Sequence, residues 1–81
     1  MELKDTVVMM KSADYKERFK AEFYQLDIRI GKLANMVSAY AMGTLNFKPS
    51  CPLDLLESQL HAMKIYSYML QERARIEGIE L

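Results

Sequence analysis

The stretch Phe19-Lys-Ala-Glu-Phe23-Tyr-Gln-Leu26-Asp-Ile-Arg-Ile30-Gly-Lys-Leu33-Ala-Asn-Met-Val37-Ser-Ala-Tyr40 decides the fold. Its apolar residues Phe19, Phe23, Leu26, Ile30, Leu33, Val37 and Tyr40 step by four, three, four, three, four and three. A strand would alternate every second residue. This spacing instead lays one apolar face along a helix. Held for about three heptads, it predicts left-handed pairing with another helix. Lys20, Glu22, Asp27, Arg29 and Lys32 fall between these positions and stay in water. Working outward, Ser12 or Asp14 supplies an N-cap, and Gly43 ends the helix because glycine accepts the left-handed C-cap conformation. The first helix is predicted at about 13–42.

A linker, Thr44-Leu-Asn-Phe-Lys-Pro-Ser50, follows, and Leu45 and Phe47 are expected to fold back over the hairpin end. Ser50 as N-cap, Pro52 in the first turn and Asp54 at the positive end of the dipole predict a second helix at about 51–77. Its seam is Leu53, Leu56, Leu60, Met63, Ser67, Leu70 and Ala74. A flanking stripe of Leu55, Ala62, Ile65, Tyr66, Met69 and Ile76 widens the apolar face, and Tyr66 is expected against the first helix. Gly78 stops the helix.

The fold class expected is all-α. A long antiparallel helical hairpin assembles into a helical-bundle oligomer, and residues 1–81 form a single helical domain. Composition supports this. The chain has 81 residues, 51% of them hydrophobic, with seven methionines, three glycines and two prolines. Too few turn residues are present for a small barrel or sandwich. A chain this short buries roughly 60–65% of its unfolded surface, so two helices alone cannot hide that much apolar area. Partner chains can cover the surplus. So can residues 1–11, in which Thr6 to Met10 reads as a short strand, an extra helical turn or a loose arm.

Catalytic and metal chemistry find little support in the sequence. His61 is the only histidine, and of its neighbours at helical spacing only Glu57 is a candidate ligand, too sparse a set for a metal. Cys51 is the only cysteine, which excludes an intramolecular disulfide and suits a reducing compartment. It starts a helix but has no base in sequence reach. Glycine-rich phosphate loops and paired carboxylates are absent. No catalytic residue, metal ligand or cofactor is expected. The N-terminus does not read as a signal peptide, and no apolar run is long enough for a membrane span.

One constellation points to a ligand. Lys11, Tyr15, Lys16, Arg18 and Lys20 crowd the start of the first helix, and Tyr24, Arg29 and Lys32 continue along it. A tyrosine face stacks on a nucleobase while Lys and Arg contact phosphate. The plainer explanation is a mixed-charge helix face carrying amphipathic tyrosines. Eleven Lys+Arg cancel eleven Asp+Glu, and this zero net charge disfavours nucleic acid as a partner. Locally the balance differs. Residues 11–32 hold six Lys/Arg against four Asp/Glu, and the remainder holds five against seven.

Three stretches carry a resemblance. Residues 15–33 read Tyr-Lys-Glu-Arg-Phe-Lys-Ala-Glu-Phe-Tyr-Gln-Leu-Asp-Ile-Arg-Ile-Gly-Lys-Leu, and residues 51–63 read Cys-Pro-Leu-Asp-Leu-Leu-Glu-Ser-Gln-Leu-His-Ala-Met. The third runs from Tyr66 to Leu81. Together they resemble the small helical phage and prophage proteins grouped as crAss-phage-related. That resemblance implies a phage origin and a helical hairpin. The chain is also similar to phage sponges of the anti-CBASS protein 2 type, helical oligomers that sequester cyclic oligonucleotide immune signals without cleaving them. This likeness implies sites between subunits, built from a tyrosine near a helix start and basic side chains. It casts Tyr15 in the stacking role and Lys11, Lys16 or Arg18 in the phosphate role.

The expected function is therefore non-enzymatic. A homo-oligomer in the host cytoplasm, with no membrane attachment, sequesters a cyclic oligonucleotide or other nucleotide-type immune signal. The other reading is a homo-oligomeric interaction module that binds a host or phage protein through the second helix.

Overall fold

In the computed structural model, which describes residues 1–81, every regular element is helical. A 3-10 turn at Leu3–Thr6 runs into the one-turn helix α1, Val7–Met10. The long helices are α2, Tyr15–Met42, and α3, Leu53–Glu77. They form the hairpin, in a body of 43 × 25 × 16 Å.

The seams fall where the spacing places them. Phe19 and Leu26 are buried on α2, with Phe23, Ile30, Leu33, Val37 and Tyr40 half-buried. On α3, Leu56, Ser67, Leu70 and Ala74 are buried, and Leu53, Leu60 and Met63 are half-buried. The tightest core lies at the end carrying the chain termini. There Phe19, Leu26, Leu70, Ala74 and Ile79 form one cluster, with Phe23, Ile30 and Met63 packed against it. Ile79 joins by a turn. Gly78 has φ +71°, and the Ile79 N–H donates back to the Ala74 carbonyl at 2.8 Å. That 6→1 bond is the mark of a Schellman cap, and its usual partner is an apolar contact onto the last turn.

Both helices start two residues later than expected. Asp14 is the N-cap of α2, its carboxylate accepting from the Lys16 N–H at 3.0 Å, and Ser12 in turn accepts from the Asp14 N–H. Ser50 is not the cap of α3. Pro52 holds that place in extended conformation with no side-chain cap. The fixed φ of proline presets the entry instead. Phe47 remains exposed, so the linker folds back over the hairpin end less fully than expected.

Residues 3–10 settle as an extra helical segment, and it packs on α2 alone. Thr6 is fully buried, and its hydroxyl donates to the Leu3 carbonyl and accepts from the Gln25 amide at 2.8 Å. Ala21, fully buried, lies one turn before Gln25 on the same side. The N-terminal segment thus covers the outer side of α2 and leaves α3 uncovered. Tyr66 stays 43% exposed, less enclosed than a residue packed into the α2 seam. Its position lies off the seam, beside Ser67.

Two glycines test this account. Gly31 sits mid-helix with open space around its Cα, so Gly31→Ala should stabilise the chain by about 0.5–1 kcal/mol. Gly43 has φ +74°, so Gly43→Ala should destabilise it by about 1 kcal/mol despite equally open space. Urea unfolding followed by circular dichroism reads both signs.

Candidate ligand-binding site

The end where α2 begins and α3 finishes holds the residues picked out by the basic and aromatic pattern. Tyr15 occupies the first position of α2. Its hydroxyl donates to Glu77 Oε1 at 2.9 Å and accepts from Arg73 Nη2 at 2.8 Å. Arg73 pairs with Glu77 as well, Nε to Oε2 at 3.4 Å. Its guanidinium lies 5.0 Å from the centroid of the Phe19 ring. Tyr15 and Phe19 are themselves in tilted contact, with centroids 6.2 Å apart. Arg73 is therefore stacked on the core from above and held by Tyr15 and Glu77 at its edge. Desolvation alone would lower its pKa. The charge and hydrogen bonds of Tyr15 and Glu77 outweigh that and hold it above the ordinary arginine value.

This clasp fixes the Tyr15 ring, and the residue remains 45% exposed. A rigid, half-open aromatic face is a good stacking platform, because little side-chain freedom is left to lose on binding. The three basic residues behave differently from one another. Arg18 reaches back to donate to the Ser12 carbonyl at 2.8 Å, so one of its donors is occupied. Arg18 makes no ion pair with Asp14 or Glu22, each four residues away along the chain, and Lys20 pairs with Glu17. Lys11 caps the end of α1, and Lys16 stands in the first turn of α2, both exposed and without an acidic partner. None of Lys11, Tyr15, Lys16 and Arg18 hydrogen-bonds another of the four. The pull of the helix N-terminus on an anion is reduced, because the Asp14 carboxylate already takes the Lys16 N–H.

Arg73 and Glu77 belong to this arrangement and were not singled out for it by the sequence pattern. The run Glu72-Arg73-Ala-Arg75-Ile-Glu77 reads as a solvated charged helix end. The clue lies in the hairpin register. Phe19 over Arg73 and Tyr15 against Glu77 are one helical turn apart on both strands of the hairpin.

Two further features lie elsewhere. His61 and Cys51 are both exposed, and no group of three or more His, Cys, Asp or Glu side chains gathers into a metal site. A cavity of about 460 Å³ opens at the linker end, lined by Tyr40, Gly43, Leu45, Asn46, Phe47, Lys48 and Pro49. It is a solvent-open depression remote in sequence from Tyr15. The chemistry at the Tyr15 end rests on named hydrogen bonds rather than on concavity. No helix is long and apolar enough to cross a membrane.

The Sequestin family model matches residues 13–76, which cover α2, the linker and all of α3 but its last residue. The chain belongs to the Sequestin family. No curated protein and no solved structure matches it. The family match begins just before Asp14, the α2 cap, and leaves out the N-terminal helix. In this Sequestin-family chain Tyr15, Phe19 and Arg73 thus fall inside the shared region, while Lys11 and Glu77 lie just outside it.

The clasp predicts a specific stability pattern. Tyr15→Phe removes both hydroxyl bonds and should lower Tm by a few degrees. Tyr24→Phe, whose hydroxyl makes no hydrogen bond in the fold, should leave Tm unchanged. Thermal melts followed at 222 nm compare the two.

Proposed function

We propose that this chain is a phage-encoded binding protein that sequesters a nucleotide-type immune signal in the host cytoplasm, without catalysis. The Sequestin membership supports a sequestering role. The observation that carries the ligand class is the Tyr15 ring, fixed by Arg73 and Glu77 and still half-exposed, with unpaired Lys11 and Lys16 on the adjoining turns. The base stacks on Tyr15. Lys11, Lys16 and the free donors of Arg18 neutralise phosphate. The protein acts as a homo-oligomer, and the copies complete the site at a subunit boundary.

Titration calorimetry with cyclic di- and trinucleotides and ADP-ribose derivatives tests this directly. One member of the panel should bind, and heat denaturation should release it unaltered. Tyr15→Ala should weaken it at least tenfold, the effect of losing about 1–3 kcal/mol of stacking. Phe47→Ala, at the linker cavity, should not. Flat heats from folded protein end the reading. A loss confined to Phe47→Ala moves the ligand to the other end.

The exposed apolar side of α3 supports a second reading, an interaction module for a host or phage protein. A single stoichiometric partner whose binding ignores nucleotide would favour it.

A further inference from the structure

α3 carries two apolar seams, and the hairpin uses only one. The inner seam runs through Leu53, Leu56, Leu60, Met63, Ser67, Leu70 and Ala74, and it is buried or half-buried throughout. Two residues further on, Leu55, Ala62, Met69 and Ile76 recur every seventh position, with Ser58 and Ile65 between them in the three-and-four rhythm. Two residues are about 200° of helix, so this second seam faces away from α2. Leu55 is 55% exposed, Ile65 45%, Met69 57% and Ile76 73%, and Tyr66 lies beside them. Between Leu55 and Met69 no seam position is charged. At the position that breaks the pattern, Glu72 is neutralised by Arg75 at 2.9 Å.

We infer that the second seam of α3 is the surface on which two copies of this chain pair, with their α3 helices antiparallel. The inference names the face that the homo-oligomer reading above requires. A seven-residue apolar repeat fits a helix lying along it, not a point contact. From Leu55 to Ile76 the stripe runs about 30 Å, most of the length of α3. A two-fold axis through its middle makes the stripe its own complement. The antiparallel arrangement brings Asp54 at the start of one α3 to the last turn of the other, where Arg75 and Glu77 both lie, and it opposes the two helix dipoles. Zero net charge leaves no overall repulsion between copies. Exposure agrees too. Leu55, Ile65, Tyr66, Met69 and Ile76 are each 43% exposed or more along this one side of the helix. They make an apolar centre of the kind that a polar rim completes to the roughly 800 Å² per partner of a stable interface.

The pairing also accounts for the thin core. Only nine of 81 residues are buried in one chain, while α3 alone leaves six large hydrophobics exposed. The N-terminal helix covers α2 and does nothing for α3.

Sedimentation equilibrium of the full chain at micromolar concentration, without nucleotide, tests the seam. The wild type should show at least twice its 9.4 kDa chain mass. The double variant I65E/M69E and the single variant A62R should fall to one chain mass with helical circular dichroism intact, because all three side chains are exposed. V8E, at the exposed apolar surface of α1, should stay assembled. A wild type of one chain mass overturns the inference. So does assembly that survives both α3 variants, or that V8E alone dissolves. An assembled wild type with flat nucleotide heats leaves the seam standing and overturns only the sequestration reading.

Discussion

Phe19 is where the fold and the candidate site meet. Its ring is buried in the cluster with Leu26, Leu70, Ala74 and Ile79, and the Arg73 guanidinium lies over it. Burying a ring of this size supplies the largest single apolar contribution available to so small a core. Stacking Arg73 on it brings the charged end of α3 to the start of α2, where Tyr15 and Glu77 hold it. Remove the ring and the core loses its anchor. The cation above it loses its seat, and the tyrosine its clasp.

The position of that contact along the hairpin divides the molecule. Near the termini, α2 is flanked by α3 on one side and by the N-terminal helix on the other, and Thr6, Ala21 and Phe19 are all sealed. Towards the linker the seam residues Leu33, Val37 and Tyr40 are only half-buried, and Phe47 is exposed. One end is a rigid platform with its polar groups already organised. The other is a looser loop around an open cavity. Binding loses least entropy where side chains are already held, which favours the terminal end as the recognition surface.

Much of this was legible in the sequence. Seam residues from Phe19 to Tyr40 and from Leu53 to Ala74 follow directly from heptad spacing, since burial on a helix is decided by angle. Gly43 and Gly78 as C-caps follow from glycine's tolerance of the left-handed conformation, which both adopt. The start of α3 was harder to read, because Ser50 and Pro52 both carry N-terminal signals and the proline won without a side-chain cap. The N-terminal segment was ambiguous because its burial hangs on Thr6 and its bond to Gln25, a tertiary contact with no periodic trace. Tyr66 sits one position off the seam residue Ser67, and a shift that small leaves its ring 43% exposed. Tyr15 stood out as an aromatic among cations. Its partners Arg73 and Glu77 did not, because a charged helix end looks alike in sequence whether it is solvated or clasped.

The claim that the terminal end is the rigid platform is tested most directly by residue-resolved amide hydrogen exchange on the free protein. The account predicts the slowest exchange in Phe19–Leu26 and Ser67–Ala74, with the linker from Gly43 to Cys51 exchanging close to its unprotected rate. Equal protection along both helices, or slowest exchange beside the linker, would contradict it.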